Sequence, residues 1–188
     1  LCIGNANSKH AAGRQAAEIL HASLGHMAQM LGAKETEIIQ TSGASESNNT
    51  AIKGILRASR HVGRHIITTP LEHASVSGCL TAMQEQGAQI DVVSIDRQGR
   101  VDLDELAELL RKDTVLVTIS AVDSELGVVQ PVKEIARMLE GYPHCRLHVD
   151  ATQAVGKIPI AFEDADTMSL AAHKFYGLNG AGLLLRRE

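Results

Sequence analysis

Short runs of apolar and β-branched residues alternate with amphipathic, helix-like patterns from about Glu37 to the end of this 188-residue chain. This alternation favours βαβ units and a mainly parallel sheet. We therefore predict a three-layer α/β/α fold around roughly seven strands, several of them continuous apolar runs that suit burial on both faces. The predicted strands are Glu37 to Thr41, His65 to Thr69, Ile90 to Ile95, Val115 to Ser120, Arg146 to Val149, Thr167 to Leu170 and Gly182 to Leu185.

Helical patterns fill the intervals between these strands. The pattern predicts a long helix from Ala11 to Leu31 that ends at Gly32, and it predicts Asp102 as the N-cap of a later helix. Apolar residues recur at helical spacing in three further stretches. Their shared faces are Val76, Leu80 and Met83; Leu103, Leu106 and Leu110; and Val132, Ile135, Ala136 and Leu139.

Composition limits the class of protein. Hydrophobic residues make up 44% and charged residues 21%, which is ordinary for one globular domain, and we assign residues 1–188 to a single domain. The net charge of −4 and the lack of a dense basic cluster argue against nucleic acid and favour a small-molecule partner. No apolar stretch approaches the roughly 20 residues of a membrane helix, so we expect a cytoplasmic protein.

The three cysteines, Cys2, Cys79 and Cys145, are odd in number and far apart. Their spacing indicates neither a disulfide framework nor a zinc site, so we expect reduced thiols and no metal. Both ends of the sequence look cut, because the chain begins without Met and ends directly after an apolar strand. We therefore expect a fragment of a longer protein.

Chemically active side chains follow four of the predicted strands. They are Ser45 after a Gly43–Ala44 turn, His73, Asp150 with Gln153, and His173 with Lys174. Ligands of open α/β sheets bind at the carboxyl ends of strands, so these residues should share one crevice.

Each signal has a plain structural alternative when it is taken alone. The glycine turn could be ordinary structure, His73 a loop residue, Asp150 a helix cap, and Lys174 a solvated surface lysine. Together they offer a phosphate cradle, an acidic partner and an amine, which fit pyridoxal 5'-phosphate. A partly desolvated Lys174 would have its amine available for a Schiff base. A dinucleotide site fits worse, because no GxGxxG follows a strand.

Six segments follow one another in an order and spacing that are specific as a set. They are Gly4 to Arg14 (GNANSKHAAGR), Thr41 to Gly54 (TSGASESNNTAIKG), Leu71 to His73 (LEH), Glu125 to Pro131 (ELGVVQP), His148 to Gly156 (HVDATQAVG) and His173 to Gly177 (HKFYG). In these segments the chain resembles cysteine desulfurases of the NifS and IscS type, within the class V aminotransferase family of fold-type I pyridoxal-phosphate enzymes. The resemblance runs along almost the whole chain.

The resemblance implies a role for each matching residue. Lys174 would carry the cofactor and then move the Cα proton of the substrate, Asp150 would pair with the pyridinium nitrogen, and His73 would stack on the ring and assist proton transfer. Gln153 would reach the phenolic oxygen. The residues implied to hold the phosphate are Ala44 through its backbone, Ser45 and His173.

The chain also departs from the family pattern. Ala6 replaces a proline, and Ser124 stands where an asparagine contacts the phenolic oxygen and the substrate. Ala171 replaces a serine that binds phosphate. Each of the last two changes could remove one hydrogen bond to a charged group, worth about 1.5 to 3 kcal/mol. Leu178 and Asn179 replace Pro and Lys, without a functional interpretation.

The resemblance implies release of sulfur from L-cysteine as an enzyme persulfide, with alanine as the other product. The implied partners are a second copy of the chain and a sulfur acceptor such as an iron–sulfur scaffold protein. The family's persulfide cysteine lies beyond the matched segments, so we expect the 188 residues to be inactive alone, with Cys79 and Cys145 structural. Two alternatives stay open: another class V enzyme, such as a selenocysteine lyase or an aminotransferase, and a noncatalytic pyridoxal-phosphate-binding or pairing module.

Overall fold

The computed structural model describes residues 3–188, and a single seven-stranded sheet forms its centre. The strands are β1 (Ile38–Thr41), β2 (His65–Thr68), β3 (Gln89–Val92), β4 (Thr114–Ser120), β5 (Arg146–Asp150), β6 (Thr167–Ala171) and β7 (Gly182–Arg186). Their order across the sheet is β1-β7-β6-β5-β4-β2-β3. Only the β1–β7 and β6–β7 pairs are antiparallel, so β7 alone runs against the other six strands.

The predicted strands are confirmed, with ends that shift by one to three residues. The largest shift is in β3, which ends at Val92 although the apolar pattern continues to Ile95. There Ile95 leaves the sheet and forms an isolated antiparallel bridge with Val101. The apolar run from Ile90 to Ile95 therefore forms part of strand β3 at its start and a separate bridge at its end. Residue type alone does not show where the strand stops.

Within residues 3–188, five α-helices connect or flank the strands. They are α1 (Ala11–Leu31), α2 (Ala44–Ala58), α3 (Ala74–Glu85), α4 (Leu103–Leu109) and α5 (Val132–Leu139). Gly32 ends α1 with a left-handed φ of 66°, as predicted. Asp102 caps α4 by accepting hydrogen bonds from the backbone N–H groups of Asp104 and Glu105.

Two apolar clusters lie on opposite faces of the sheet and give the three predicted layers. One cluster joins α2 and α3 to strand residues such as Ile66 and Leu116. The other joins α4, α5 and the end of α1 to neighbouring strand residues such as Ile67 and Val117. Adjacent strand residues point to opposite faces, so both faces are covered. Among the described residues, no helix is long and apolar enough to cross a membrane.

The topology directs the loops to one edge. The chain runs from β2 to β3 in one direction along the sheet and then from β4 to β7 in the other direction. The carboxyl ends of β2 and β4 therefore flank the point where the strand order reverses. Ligand crevices of open α/β sheets form at such a point.

Candidate active site

A cleft of about 470 Å³ lies at the carboxyl edge of the parallel strands. All eight site residues predicted from the sequence line it. The lining residues are Ala44, Ser45, His73, Ser120, Val122, Ser124, Asp150, Thr152, Gln153, Ala171, His173 and Lys174. Residues from five separate loops and strand ends thus meet in one place, as the strand-end reasoning requires.

The amino end of α2 forms one wall of the cleft. Gly43 is the N-cap and no side chain caps the first turn, so the backbone N–H groups at Ala44 and Ser45 belong to the uncapped start of the helix. Helix N-termini carry a partial positive charge and suit anionic groups. The side chain of Glu46 turns back, and its carboxylate accepts hydrogen bonds from the N–H and the hydroxyl of Ser42, both at 2.7 Å.

Asp150 ends β5 and is 5% exposed. One carboxylate oxygen accepts a hydrogen bond from the Asn48 amide at 2.8 Å, and the other accepts one from the backbone N–H of Thr152 at 3.0 Å. The second bond resembles the capping role that was the plain alternative for this residue. A carboxylate this buried needs such donors to offset its lost hydration, and it offers the cleft a fixed negative charge.

His73 is the N-cap of α3 and its side chain is exposed. Its Nδ1 accepts a hydrogen bond from the backbone N–H of Ser75 at 3.1 Å and lies 2.8 Å from the Ser75 hydroxyl. The ring orientation at the cleft is therefore set by the start of α3.

Lys174 and His173 lie on a short 3-10 turn, Ala172–Phe175, that follows β6 directly. Both side chains are exposed at the cleft. The partial desolvation expected for Lys174 is therefore absent in this chain, because the turn carries the lysine beyond the buried end of β6 and no described residue covers it. The amine is accessible to a ligand.

Gln153 and Ser124 complete the predicted set. Gln153 is half-buried, and its side-chain oxygen accepts a hydrogen bond from Lys157 Nζ. Ser124 is exposed in the turn that the Val122–Val129 bridge closes. Ala171, the last residue of β6, presents only a methyl group to the cleft where the family pattern has a hydroxyl.

The sequence reasoning missed a buried polar network beneath the cleft. It centres on Asn48 of α2, which is 0% exposed and contacts Asp150, His148, Ser169 and Ser75. A signal for it was present in the strands, where buried polar residues recur at every second position. These alternating residues are Thr118 and Ser120 in β4, His148 and Asp150 in β5, and Thr167 and Ser169 in β6.

Glu72 is a second carboxylic acid that the sequence reasoning left without a role. Its carboxylate accepts hydrogen bonds from the Thr69 hydroxyl and from both the N–H and the hydroxyl of Ser120, at 2.8 to 2.9 Å. Burial of the carboxyl group raises its pKa from 4.5 to about 7, and the nearby charge of Asp150 adds to the increase. Through its two hydrogen bonds with Ser120, the last residue of β4, Glu72 holds the end of that strand beside the cleft.

The two described cysteines are far from nucleophilic. Cys79 faces the α2–α3 cluster and Cys145 faces the opposite one, and both are free thiols. Burial raises the pKa of Cys79 and raises that of Cys145 to about 12. Neither thiol is suited to act as a thiolate, in agreement with the structural role predicted for both. Cys2 lies outside the described residues.

The residues of the cleft fit pyridoxal 5'-phosphate by their chemistry. The uncapped α2 terminus, Ser45 and His173 can receive a phosphate, the buried Asp150 carboxylate can pair with a protonated ring nitrogen, and the accessible Lys174 amine can bond an aldehyde. The phosphate, the protonated ring nitrogen and the aldehyde of this ligand would thus each meet a complementary group of the cleft.

The fold and the cleft define a class of α/β proteins that hold a ligand at the carboxyl edge of a mainly parallel sheet. The family model for aminotransferase class V matches residues 2–188. The chain belongs to this family.

Curated relatives match across nearly the whole chain. A NifS/IcsS protein homolog from Lactobacillus delbrueckii subsp. bulgaricus is 43% identical over 188 residues, which cover 98% of this chain and 49% of that protein. The cysteine desulfurase IscS of Dictyoglomus turgidum is 40% identical over 188 residues, covering 99% of this chain and 48% of that protein. The chain therefore spans about half the length of the curated relatives it matches.

Solved structures share the fold. A NifS-like protein superimposes with a TM-score of 0.95 at 37% identity, covering 98% of this chain and 52% of that one. SspA in complex with cysteine superimposes with a TM-score of 0.93 at 33% identity, covering all of this chain and 54% of that one. The three-layer fold predicted from the sequence is confirmed by both.

Proposed function

We propose that residues 1–188 are the pyridoxal-phosphate-binding large domain of a cysteine desulfurase. The observation that carries this proposal is the convergence of all eight predicted site residues on one cleft, where the buried Asp150 carboxylate and the accessible Lys174 amine both line the wall. The family membership and the names of the relatives support the same reading.

Bound pyridoxal phosphate supplies an electron sink for the negative charge that develops when an amino acid loses its Cα proton. Asp150 keeps the ring nitrogen protonated by offering it a carboxylate in a buried setting. Lys174 would hold the cofactor aldehyde through its amine, and the same nitrogen would accept and return the Cα proton of the substrate. His73 would stack on the cofactor ring and would assist this proton movement.

The remaining residues orient the cofactor. The backbone N–H of Ala44, the hydroxyl of Ser45 and the ring of His173 would hold the phosphate at the start of α2. Gln153 would donate a hydrogen bond to the phenolic oxygen. Ser124 would face the same oxygen from the turn after β4, with a shorter side chain than the asparagine of the family pattern.

The substrate we propose is L-cysteine, whose sulfur passes to a thiolate as a persulfide and leaves alanine. The relative named cysteine desulfurase and the structural neighbour described in complex with cysteine support this choice. Neither Cys79 nor Cys145 can supply the thiolate, because both are buried with raised pKa values. We therefore expect residues 1–188 to bind the cofactor and to release no sulfur by themselves.

We further propose a homodimer in the cytoplasm that passes sulfur to an acceptor such as an iron–sulfur scaffold protein. The name of the IscS relative supports the transfer of sulfur. The homodimer, the location and the acceptor can each be tested separately from cofactor binding.

The deciding experiment adds pyridoxal phosphate to the purified chain, reduces the mixture with borohydride and maps the adduct by mass spectrometry. We expect a new absorption band and a covalent adduct on Lys174 that is lost in Lys174→Ala. Lys157→Ala is the matched control, because this exposed lysine donates a hydrogen bond to Gln153 but does not line the cleft. An adduct that survives Lys174→Ala would refute the proposed site.

Ser124 favours a second candidate, another class V enzyme such as a selenocysteine lyase or an aminotransferase. A serine leaves more space at the substrate side of the cleft and loses a long polar contact. Spectral titrations with candidate substrates separate the two candidates. A change in the cofactor spectrum on adding cysteine, with tighter cysteine binding in Ser124→Asn than in the original chain, supports the desulfurase. A larger response to selenocysteine or to another amino acid that donates its amino group would favour the alternative.

A further inference from the structure

Asn48 makes four side-chain hydrogen bonds although it is completely buried. Its amide nitrogen lies 2.8 Å from Asp150 Oδ2 and 2.9 Å from Ser75 Oγ. Its amide oxygen lies 3.0 Å from His148 Nε2 and also contacts the Ser169 hydroxyl. Both donors and both acceptor positions of the amide are therefore used.

These partners fix the direction of the amide. An ionised Asp150 can only accept, so the NH₂ group must face it and the oxygen must face His148 and Ser169. His148 then carries its proton on Nε2, and its Nδ1, 2.8 Å from Thr167 Oγ1, accepts from that hydroxyl. Burial holds the pKa of His148 well below its ordinary value, which keeps the ring neutral in this arrangement.

The same amide reaches the opposite wall of the cleft. Since Asn48 donates to Ser75 Oγ, the Ser75 hydroxyl is free to donate its own proton to His73 Nδ1 at 2.8 Å. The backbone N–H of Ser75 donates to the same nitrogen. Because Nδ1 accepts hydrogen bonds, the His73 ring carries its proton on Nε2.

From this network we propose that Asn48 is a positioning residue of the cofactor site. It holds the Asp150 carboxylate in the orientation that presents it to the cleft, and it links that carboxylate through Ser75 to the His73 ring. This inference rests on the proposed function, because it assumes that Asp150 meets the ring nitrogen of pyridoxal phosphate. It adds a residue that touches no ligand itself.

The test compares the binding of pyridoxal phosphate with that of its 1-deaza analogue, in which carbon replaces the ring nitrogen. Dissociation constants are measured by spectral titration for the full chain and for Asn48→Ala, Asn48→Asp and Gln130→Ala. Gln130 is the matched control, because it is a buried amide that binds the backbone of Gly99 and Val101 away from the cleft. Loss of a hydrogen bond to a charged group predicts about ten-fold or more weaker binding of pyridoxal phosphate in both Asn48 variants.

The analogue should bind the Asn48 variants within about two-fold of the original chain, because it makes no charged contact with Asp150 that the amide could strengthen. Gln130→Ala should leave both constants unchanged. An equal loss for both ligands would reduce Asn48 to a packing role, and unchanged binding of pyridoxal phosphate would also overturn the proposal. If the original chain binds neither ligand, the proposed function fails instead.

A measurement without cofactor distinguishes failure of the role proposed for Asn48 from failure of the proposed function. Two-bond ¹H–¹⁵N NMR correlations should give His148 as the Nε2–H tautomer in the original chain and a changed tautomer mixture in Asn48→Ala. An Nδ1–H tautomer in the original chain would mean that the amide faces the other way, which overturns the proposal whether or not the cofactor binds. Should Asn48→Asp fold poorly, the double variant Asn48→Asp with Asp150→Asn should restore the fold, because the amide at position 150 then donates to the carboxylate at position 48. That double variant should bind pyridoxal phosphate and its 1-deaza analogue with equal dissociation constants.

Discussion

Glu72 and His148 are two titratable residues close to the cleft whose pKa values are shifted by burial in opposite senses. The pKa of Glu72 rises to about 7, while that of His148 falls below its ordinary 6.5. Both shifts disfavour the charged form of the side chain. The folded chain therefore keeps two neutral groups at a pH where the unfolded chain would ionise both.

The first prediction concerns the pH dependence of stability. Between about pH 4.5 and 6.5 the unfolded chain holds fewer protons at Glu72 and more at His148 than the folded chain. The contribution of Glu72 to the free energy of unfolding is complete below pH 4.5 and is lost as pH rises through 7. The contribution of His148 is complete above pH 6.5 and is lost as pH falls. Because the two contributions change with pH in opposite directions, the free energy of unfolding measured with urea should depend only weakly on pH in this window.

Single substitutions should separate the two slopes. Glu72→Gln removes the Glu72 contribution, so its free energy of unfolding should rise with pH over this window, by at most about 3 kcal/mol. His148→Gln should show the opposite trend, although its absolute stability falls because the Asn48 contact is altered. Identical profiles for Glu72→Gln and the original chain would contradict the raised pKa of Glu72.

At the scale of elements, the amino end of α2 is held against β7 by two glycines. A Cβ atom on Gly182 would lie 2.5 Å from the Cα of Gly43, which is far inside contact distance. Gly182 opens β7 and pairs with Thr41 of β1, while Gly43 is the N-cap of α2. This close approach sets where the uncapped helix terminus meets the cleft.

The second prediction tests that approach. Gly182→Ala should lower the free energy of unfolding by about 1 to 3 kcal/mol and weaken binding of pyridoxal phosphate, because the backbone of Gly43 must move. Gly54→Ala is the control, since Gly54 lies within α2 with open space around its Cβ position. It should stabilise the chain by about 0.5 to 1 kcal/mol without changing cofactor affinity. Equal effects of the two substitutions would show that the helix terminus tolerates displacement.

At the scale of the whole molecule, apolar side chains are exposed in two loops that also carry residues of the cleft. Tyr176 and Leu178 follow the Lys174 turn, with Leu178 80% exposed, and Leu126 and Val129 lie in the turn that carries Ser124. Exposed apolar groups of this kind favour association. They lie on the edge of the sheet that carries the site, which is consistent with the proposed homodimer.

The third prediction is that the chain associates in a concentration-dependent way in sedimentation velocity runs. Combining Tyr176→Asn with Leu178→Ser should weaken the dimer by about ten-fold or more, because it removes apolar contact area. Asparagine suits the left-handed backbone at Tyr176, where φ is 68°, so the turn should persist. Ile19→Ser, at an exposed apolar position in the middle of α1, should leave the dimer unchanged. A monomer at all concentrations would contradict the proposed homodimer.

Much of this protein could be predicted from local patterns. The seven strands, the end of α1 at Gly32 and the cap at Asp102 depend on side-chain periodicity and on local backbone chemistry, which are written in consecutive residues. Most of the predicted cleft residues follow for a related reason, since parallel strands bring their carboxyl ends together, while Ser124 was predicted only from the family resemblance. The sequence by itself therefore determined the fold class and most of the residues that line the cleft.

Tertiary structure decided what surrounds those residues. The contact between Asn48 and Asp150 joins positions 102 residues apart, and no local pattern specifies which buried amide meets which carboxylate. The exposure of Lys174 and the raised pKa of Glu72 likewise depend on how much of each group the packed layers remove from water. Burial and hydrogen-bond partners are properties of the assembled sheet and helices, so they appear only when the chain is folded.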